Sequence, residues 1–148
     1  MRSLSAWVWP FILIMACSAP DESARLRAYL TKNIGLAAGH LPSAVIVITE
    51  DGCNACDSKF ADLMRLRTGC QRCLFIVRAE GMSIDMNGFL EPTDNLRFDD
   101  GSFRRLGILQ ASGMILMQDG RIDRILALER TDIGSQLALF ECILDTID

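Results

Sequence analysis

Two C-x-x-C pairs, Gly52-Cys53-Asn54-Ala55-Cys56 and Gly69-Cys70-Gln71-Arg72-Cys73, are the residues whose type and spacing most directly allow chemistry. Three chemistries fit them: one zinc site of four thiolates, two disulfides, or one reactive dithiol beside one structural staple. The thiolate, not the thiol, attacks a disulfide. At the start of a helix, Cys53 would face unpaired N–H groups and the positive end of the helix dipole, which stabilise negative charge. Cys56, one turn further on, would be more shielded and would resolve a mixed disulfide formed on Cys53. Asn54-Ala55 holds no histidine or arginine, and Glu50, Asp51 and Asp57 would oppose a thiolate. The pair therefore leans toward a reductant or electron carrier over a strong oxidant. A structural 53–56 disulfide is the alternative, although closing so short a loop removes little unfolded-chain entropy.

The elements around the pairs decide between these chemistries. Ala44 to Thr49, AVIVIT, is a continuous apolar, β-branched run suited to a strand buried on both faces. From Cys53 the chain reads as a helix, with Cys56, Phe60, Leu63 and Met64 on one side and Asp57, Lys59, Asp62 and Arg65 elsewhere, ending at Thr68-Gly69. Cys73 to Val77 is a second buried strand. A helix of about fourteen residues is about 20 Å long, so it separates the pairs too widely for four sulfurs to lie about 2.3 Å from one metal. A zinc site requires that helix to be absent. Cys70 and Cys73 then form their own bridge at the opposite end of the sheet, as a local staple or an auxiliary redox pair, or remain a dithiol.

The other elements complete a layered α/β pattern. Asp21 to Gly35 spaces Leu26, Tyr29, Leu30 and Ile34 as an amphipathic helix. Residues 79 to 97 are interrupted by Gly81, Gly88 and Pro92 and read as an insertion or a lid. Leu96 to Phe98 is a short strand, and Ser102 opens a short helix. Met114 to Leu128 reads as strand, Asp119-Gly120 turn and strand. Ile133, Leu137, Phe140, Leu144 and Ile147 give the closing helix one packing face. Right-handed crossovers make the first part parallel, the hairpin adds antiparallel strands, and helices cover both faces.

The chain has 148 residues, half of them apolar, and a formal charge of -4, enough for one globular domain and hardly two. It has no basic block and no aromatic stripe set among lysines, so nothing favours a nucleic-acid partner. MRSLSAWVWPFILIMAC carries one arginine and an apolar stretch shorter than a typical membrane span, and reads as an export signal. Its end, Ile14-Met15-Ala16-Cys17, resembles the bacterial lipoprotein signal. That resemblance implies a lipid-modified Cys17, a membrane anchor of several acyl chains and a periplasmic location. Ordinary secretion with cleavage near Ala16 or Ala19, or an uncleaved anchor, is the alternative. Any of these routes leads to a compartment where disulfides persist. The division is thus a signal over 1–17, a helical extension over 18–39 and a folded domain over 40–148.

AVIVITEDGCNAC, with its dithiol between strand and helix, and FDDGSFRRLGILQASGMILMQDGRI together resemble the thioredoxin fold. The second stretch is similar to exported members of the TlpA and cytochrome-maturation branch. There an Asp and a short helix ending in Leu-Gly-Ile precede the loop facing the active site, then a strand and an Asp-Gly turn. The resemblance spans roughly residues 40 to 147. It implies a three-layer sandwich with a central mixed sheet, catalytic Cys53 and Cys56, a protein thiol or disulfide partner, and no cofactor or metal.

Two positions depart from that pattern. The family's cis-proline before the last hairpin is replaced by Ala111, Ser112 and Gly113, with Ser112 the nearest candidate for its place. A non-proline cis bond costs about 2.5–4 kcal/mol, so a trans loop is expected. Val47 stands where thioredoxin has a buried Asp, leaving Glu50, Asp51, substrate or water to take a proton. The threonine and proline that peroxidases of this fold place around their cysteine are missing. The competing reading is a non-catalytic lipoprotein that binds an envelope partner and keeps its cysteines as structural disulfides. Cys142, in the closing helix, is expected to be buried or unpaired, and His40, the only histidine, to be a surface residue.

Overall fold

The run Ala44–Thr49 forms strand β1, and every one of its six residues is buried. Only the central strand of a sheet covered on both faces accepts such a run. The computed structural model describes residues 21–78, 84–89 and 93–147. The expected signal over 1–17, the lipidated Cys17 and residues 79–83 and 90–92 of the expected 79–97 insertion lie outside the described residues.

Helix α1 (Glu22–Lys32) precedes β1, and helix α2 (Asn54–Arg65) follows it. Strand β2 (Cys73–Arg78) and strand β3 (Leu96–Phe98) come next, then the hairpin strands β4 (Gly113–Gln118) and β5 (Arg121–Ala127), and helix α3 (Ile133–Ile147) closes the chain. The sheet has five strands in the order β3-β2-β1-β4-β5. β2 runs parallel to both β1 and β3, while β4 is antiparallel to β1 and to β5. The expected α/β class and mixed sheet are both present.

Alternation along β1 sends its side chains into two cores. Ala44, Ile46 and Ile48 pack with Phe60, Ala61 and Met64 of α2 and with Phe140 and Leu144 of α3. Val45 and Val47 pack with Leu26, Tyr29 and Leu30 of α1 and with Phe103, Leu109 and Ile115. Edge-to-face ring pairs fasten both layers, Phe60 against Phe140 at 5.2 Å and Tyr29 against Phe103 at 5.5 Å. Helix α1 is also tied down by hydrogen bonds: Arg25 donates to the Leu106 carbonyl, and the Ser23 hydroxyl accepts from the Ile122 N–H. Among the described residues, no helix is long and apolar enough to cross a membrane.

The hairpin closes as its Asp119-Gly120 pair predicts, with both residues at positive φ, 51° and 71°. Three expectations need correction. α2 stops at Arg65 instead of running to Thr68-Gly69, because tight turns take over, with Arg67 N–H on the Met64 carbonyl and Cys70 N–H on the Arg67 carbonyl. The helix expected from Ser102 is only a 3-10 turn, Arg104–Leu106, stopped by left-handed Gly107. Asp57, expected on the polar side of α2, is buried.

Candidate functional site

β1 ends at Thr49 and α2 begins at Asn54, which leaves Cys53 as the residue that caps the helix N-terminus. Its backbone is extended, φ -90° and ψ 106°, as a cap requires, and no side-chain hydrogen bond closes this end. The N–H groups of Ala55 and Cys56 are therefore left to stabilise a negative sulfur. Cys53 is half-buried and Cys56 buried, and the Cys56 thiol donates to the Cys53 sulfur across 2.7 Å. That hydrogen bond is the first cause lowering the Cys53 pKa below its ordinary 9.0, followed by the backbone N–H groups and by the charge of Arg130. The same bond pushes Cys56 above 9.0, helped by burial, by the charge on Cys53 and by Asp57. One sulfur is thus prepared to attack while the other holds its proton.

The loop Ala111-Ser112-Gly113 is brought to the same place by the pairing of β4 with β1. No cis peptide bond occurs among the described residues, so this loop is trans, as expected. Ser112 is fully buried. Its hydroxyl accepts from the Thr49 N–H at 3.0 Å and donates to the Thr49 carbonyl at 3.1 Å, so a side chain supplies one rung of the β1–β4 ladder. Ala111 is half-buried, whereas Gly113 is buried for a structural reason. A Cβ there would stand 2.3 Å from the Leu126 carbonyl oxygen, so only glycine lets β5 come this close.

Of the three acids expected near the thiols, Glu50 and Asp51 have other partners. The Glu50 carboxylate accepts from the Ile84 N–H at 2.9 Å, and Asp51 pairs with Arg78 at the end of β2. Sequence reasoning missed Arg130 altogether, and it named Asp57 beside the thiols but set it on the polar side of α2. Asp57 is only 2 % exposed and lies under the loop that carries Gly52. Burial raises its pKa above 3.8, and Glu50 adds to this, while the Ser112 hydroxyl, the Gly52 N–H and Arg130 act to lower it. Despite those neighbours, its Oδ2 has no hydrogen-bond partner among the described residues. Arg130, in the exposed turn between β5 and α3, supplies the cation that Asn54-Ala55 does not. The glycine before the first cysteine was the available hint for Asp57, because it leaves room for a carboxyl group. Nothing local in sequence points to Arg130.

Cys70 and Cys73 are joined in a disulfide, both sulfurs buried in the core. In the parallel register Cys73 lies beside Ala44 and Arg78 beside Thr49. The disulfide therefore occupies the end of β1 opposite to the dithiol, with α2 between the two pairs. Among the described residues, no cluster of His, Cys, Asp and Glu is arranged to hold a metal ion. Cys142 is unpaired and exposed, beside a cavity of about 470 Å³ lined by Arg72, Leu116, Ile143 and Ile147. His40 is exposed. No protein-family model, no curated protein and no solved structure matches the chain.

Proposed function

We propose that this chain is a thioredoxin-like thiol–disulfide oxidoreductase or electron carrier that acts on protein disulfides through Cys53-Asn54-Ala55-Cys56. One observation carries the reading: two sulfurs 2.7 Å apart at the start of α2, one pKa pushed down and the other up. Cys53 attacks a substrate disulfide and Cys56 displaces the reduced substrate from the mixed disulfide, leaving the 53–56 bond. The mixed sheet covered on both faces supports a three-layer thioredoxin-like sandwich. The signal-like leader supports an envelope location on the periplasmic side, anchored through lipid on Cys17.

A second reading, a non-catalytic lipoprotein that binds an envelope partner, has one observation in its favour. The Ser112 carbonyl is already taken by the Leu128 N–H and its hydroxyl by Thr49, which leaves that residue little to offer an extended substrate. Mass mapping of disulfides across a graded dithiothreitol series separates the two. The oxidoreductase gives a 53–56 pair that opens and closes reversibly while Cys70–Cys73 stays oxidised. Two pairs that resist reduction together, with no exchange with a small disulfide, would establish the binding module instead.

A further inference from the structure

Cys56 cannot attack while it keeps its proton, and both the hydrogen bond to Cys53 and burial favour keeping it. Glu50 and Asp51 are held by Ile84 and Arg78. We propose that Asp57 is the proton acceptor for Cys56: a carboxyl group buried next to it in the chain, with one oxygen left unpartnered under Gly52. The inference rests on the oxidoreductase reading and assigns that reaction a group which neither the spacing of the cysteines nor the polarity of α2 reveals.

The geometry supports the assignment independently of titration. Asp57 follows Cys56 on the first turn of α2, and both face the protein interior. A Cβ on Gly52 would lie 2.9 Å from Asp57 Oδ2, so the glycine makes the space in which the carboxyl group sits. A buried carboxyl oxygen without a donor costs stability and calls for an explanation, of which a catalytic role is one. The charged and titratable groups that act on Asp57 are Arg130 from the β5–α3 turn and Glu50 from the end of β1, and it acts in turn on Cys56. Ser112 approaches from the loop before β4.

The reaction balances as follows. The Cys53 thiolate bonds to one sulfur of the substrate disulfide, and the other substrate sulfur leaves as a thiolate that takes a proton from water. Cys56 then passes its proton to the Asp57 carboxylate and bonds through sulfur to Cys53, releasing the second substrate thiolate. Two electrons have moved from the dithiol to the substrate, and Asp57 returns its proton to water or to the departing thiolate.

Dithiobis(nitrobenzoate) tests this by stopped flow, because the first coloured thiolate reports attack by Cys53 and the second reports resolution by Cys56. Cys17→Ser and Cys142→Ser remove the other thiols from the background. In the otherwise native protein the second phase should accelerate with pH through a transition above 3.8, the ordinary carboxyl value. In Asp57→Asn, close in shape, the second phase at pH 7 should fall about 100-fold and lose that transition, while the first phase is nearly unchanged. A second phase with the same rate and pH transition in Asp57→Asn overturns the assignment and leaves the oxidoreductase intact. Equal slowing of both phases, with the transition kept, also overturns it, since that is what a merely structural role produces. If the native dithiol gives no second phase at all, the oxidoreductase reading fails first, and the inference with it.

Discussion

Cys53 titrates below and Cys56 above the ordinary thiol value of 9.0, and the first cause of both shifts is the hydrogen bond between them. Cys56→Ala should therefore raise the Cys53 pKa and cut its thiolate fraction at neutral pH. Alkylation of Cys53 by iodoacetamide at pH 7 should slow about fivefold, measured against the pH at which the rate reaches half its limit. Asp57 makes a second prediction, on stability. Its folded-state pKa lies above 3.8, so the folded protein binds this proton more tightly than the unfolded chain does. Below 3.8 both states are protonated and nothing is lost; as pH rises through the folded pKa the buried charge becomes a growing penalty. Asp57→Asn should raise the Tm by a few degrees at pH 7, with the gain closing as the pH falls below 3.8. At this scale the site was half legible. The two cysteines declare themselves by spacing and position. Asp57 did not, because helical periodicity assigns an aspartate to solvent unless a cavity for it is known. Arg130 did not either, because its proximity to Cys53 depends on how β5 returns.

Elements were easier to read than residues. AVIVIT suits a strand buried on both faces, Asp119-Gly120 between two apolar runs is a hairpin signature, and both elements are present. The end of α2 was less legible, because Leu66, Arg67 and Thr68 continue a helical pattern that turn hydrogen bonds interrupt. The join between β1 and β4 could not be read at all, since its last rung comes from a side chain. The Ser112 hydroxyl satisfies both the N–H and the carbonyl of Thr49, and both residues are completely buried. Ser112→Ala would strand those two groups at about 1–3 kcal/mol each. Urea denaturation should show a loss of about 2–6 kcal/mol, with the m-value unchanged. A loss below about 0.5 kcal/mol would mean that water or a shifted loop takes over the hydroxyl's part.

On the scale of the whole molecule, the parallel pairing of β1 with β2 puts the closed disulfide at one pole and the dithiol at the other. The Cys70–Cys73 bridge holds the entry to β2, where Asn95 also donates to the carbonyls of Thr68 and Cys70. A loop this short contributes about 2 kcal/mol by constraining the unfolded chain. Replacing both cysteines by alanine should lower stability by about that amount, read from denaturation midpoints, and leave both phases of thiol exchange at Cys53 and Cys56 unchanged. The five strand steps from Ala44 to Thr49 set the poles about 16 Å apart. Thiol exchange needs sulfurs in contact, so reducing equivalents cannot pass from one pair to the other inside a single molecule. Any such transfer requires two molecules to collide, and its rate would climb with protein concentration, whereas closure of Cys53 on Cys56 would not depend on it.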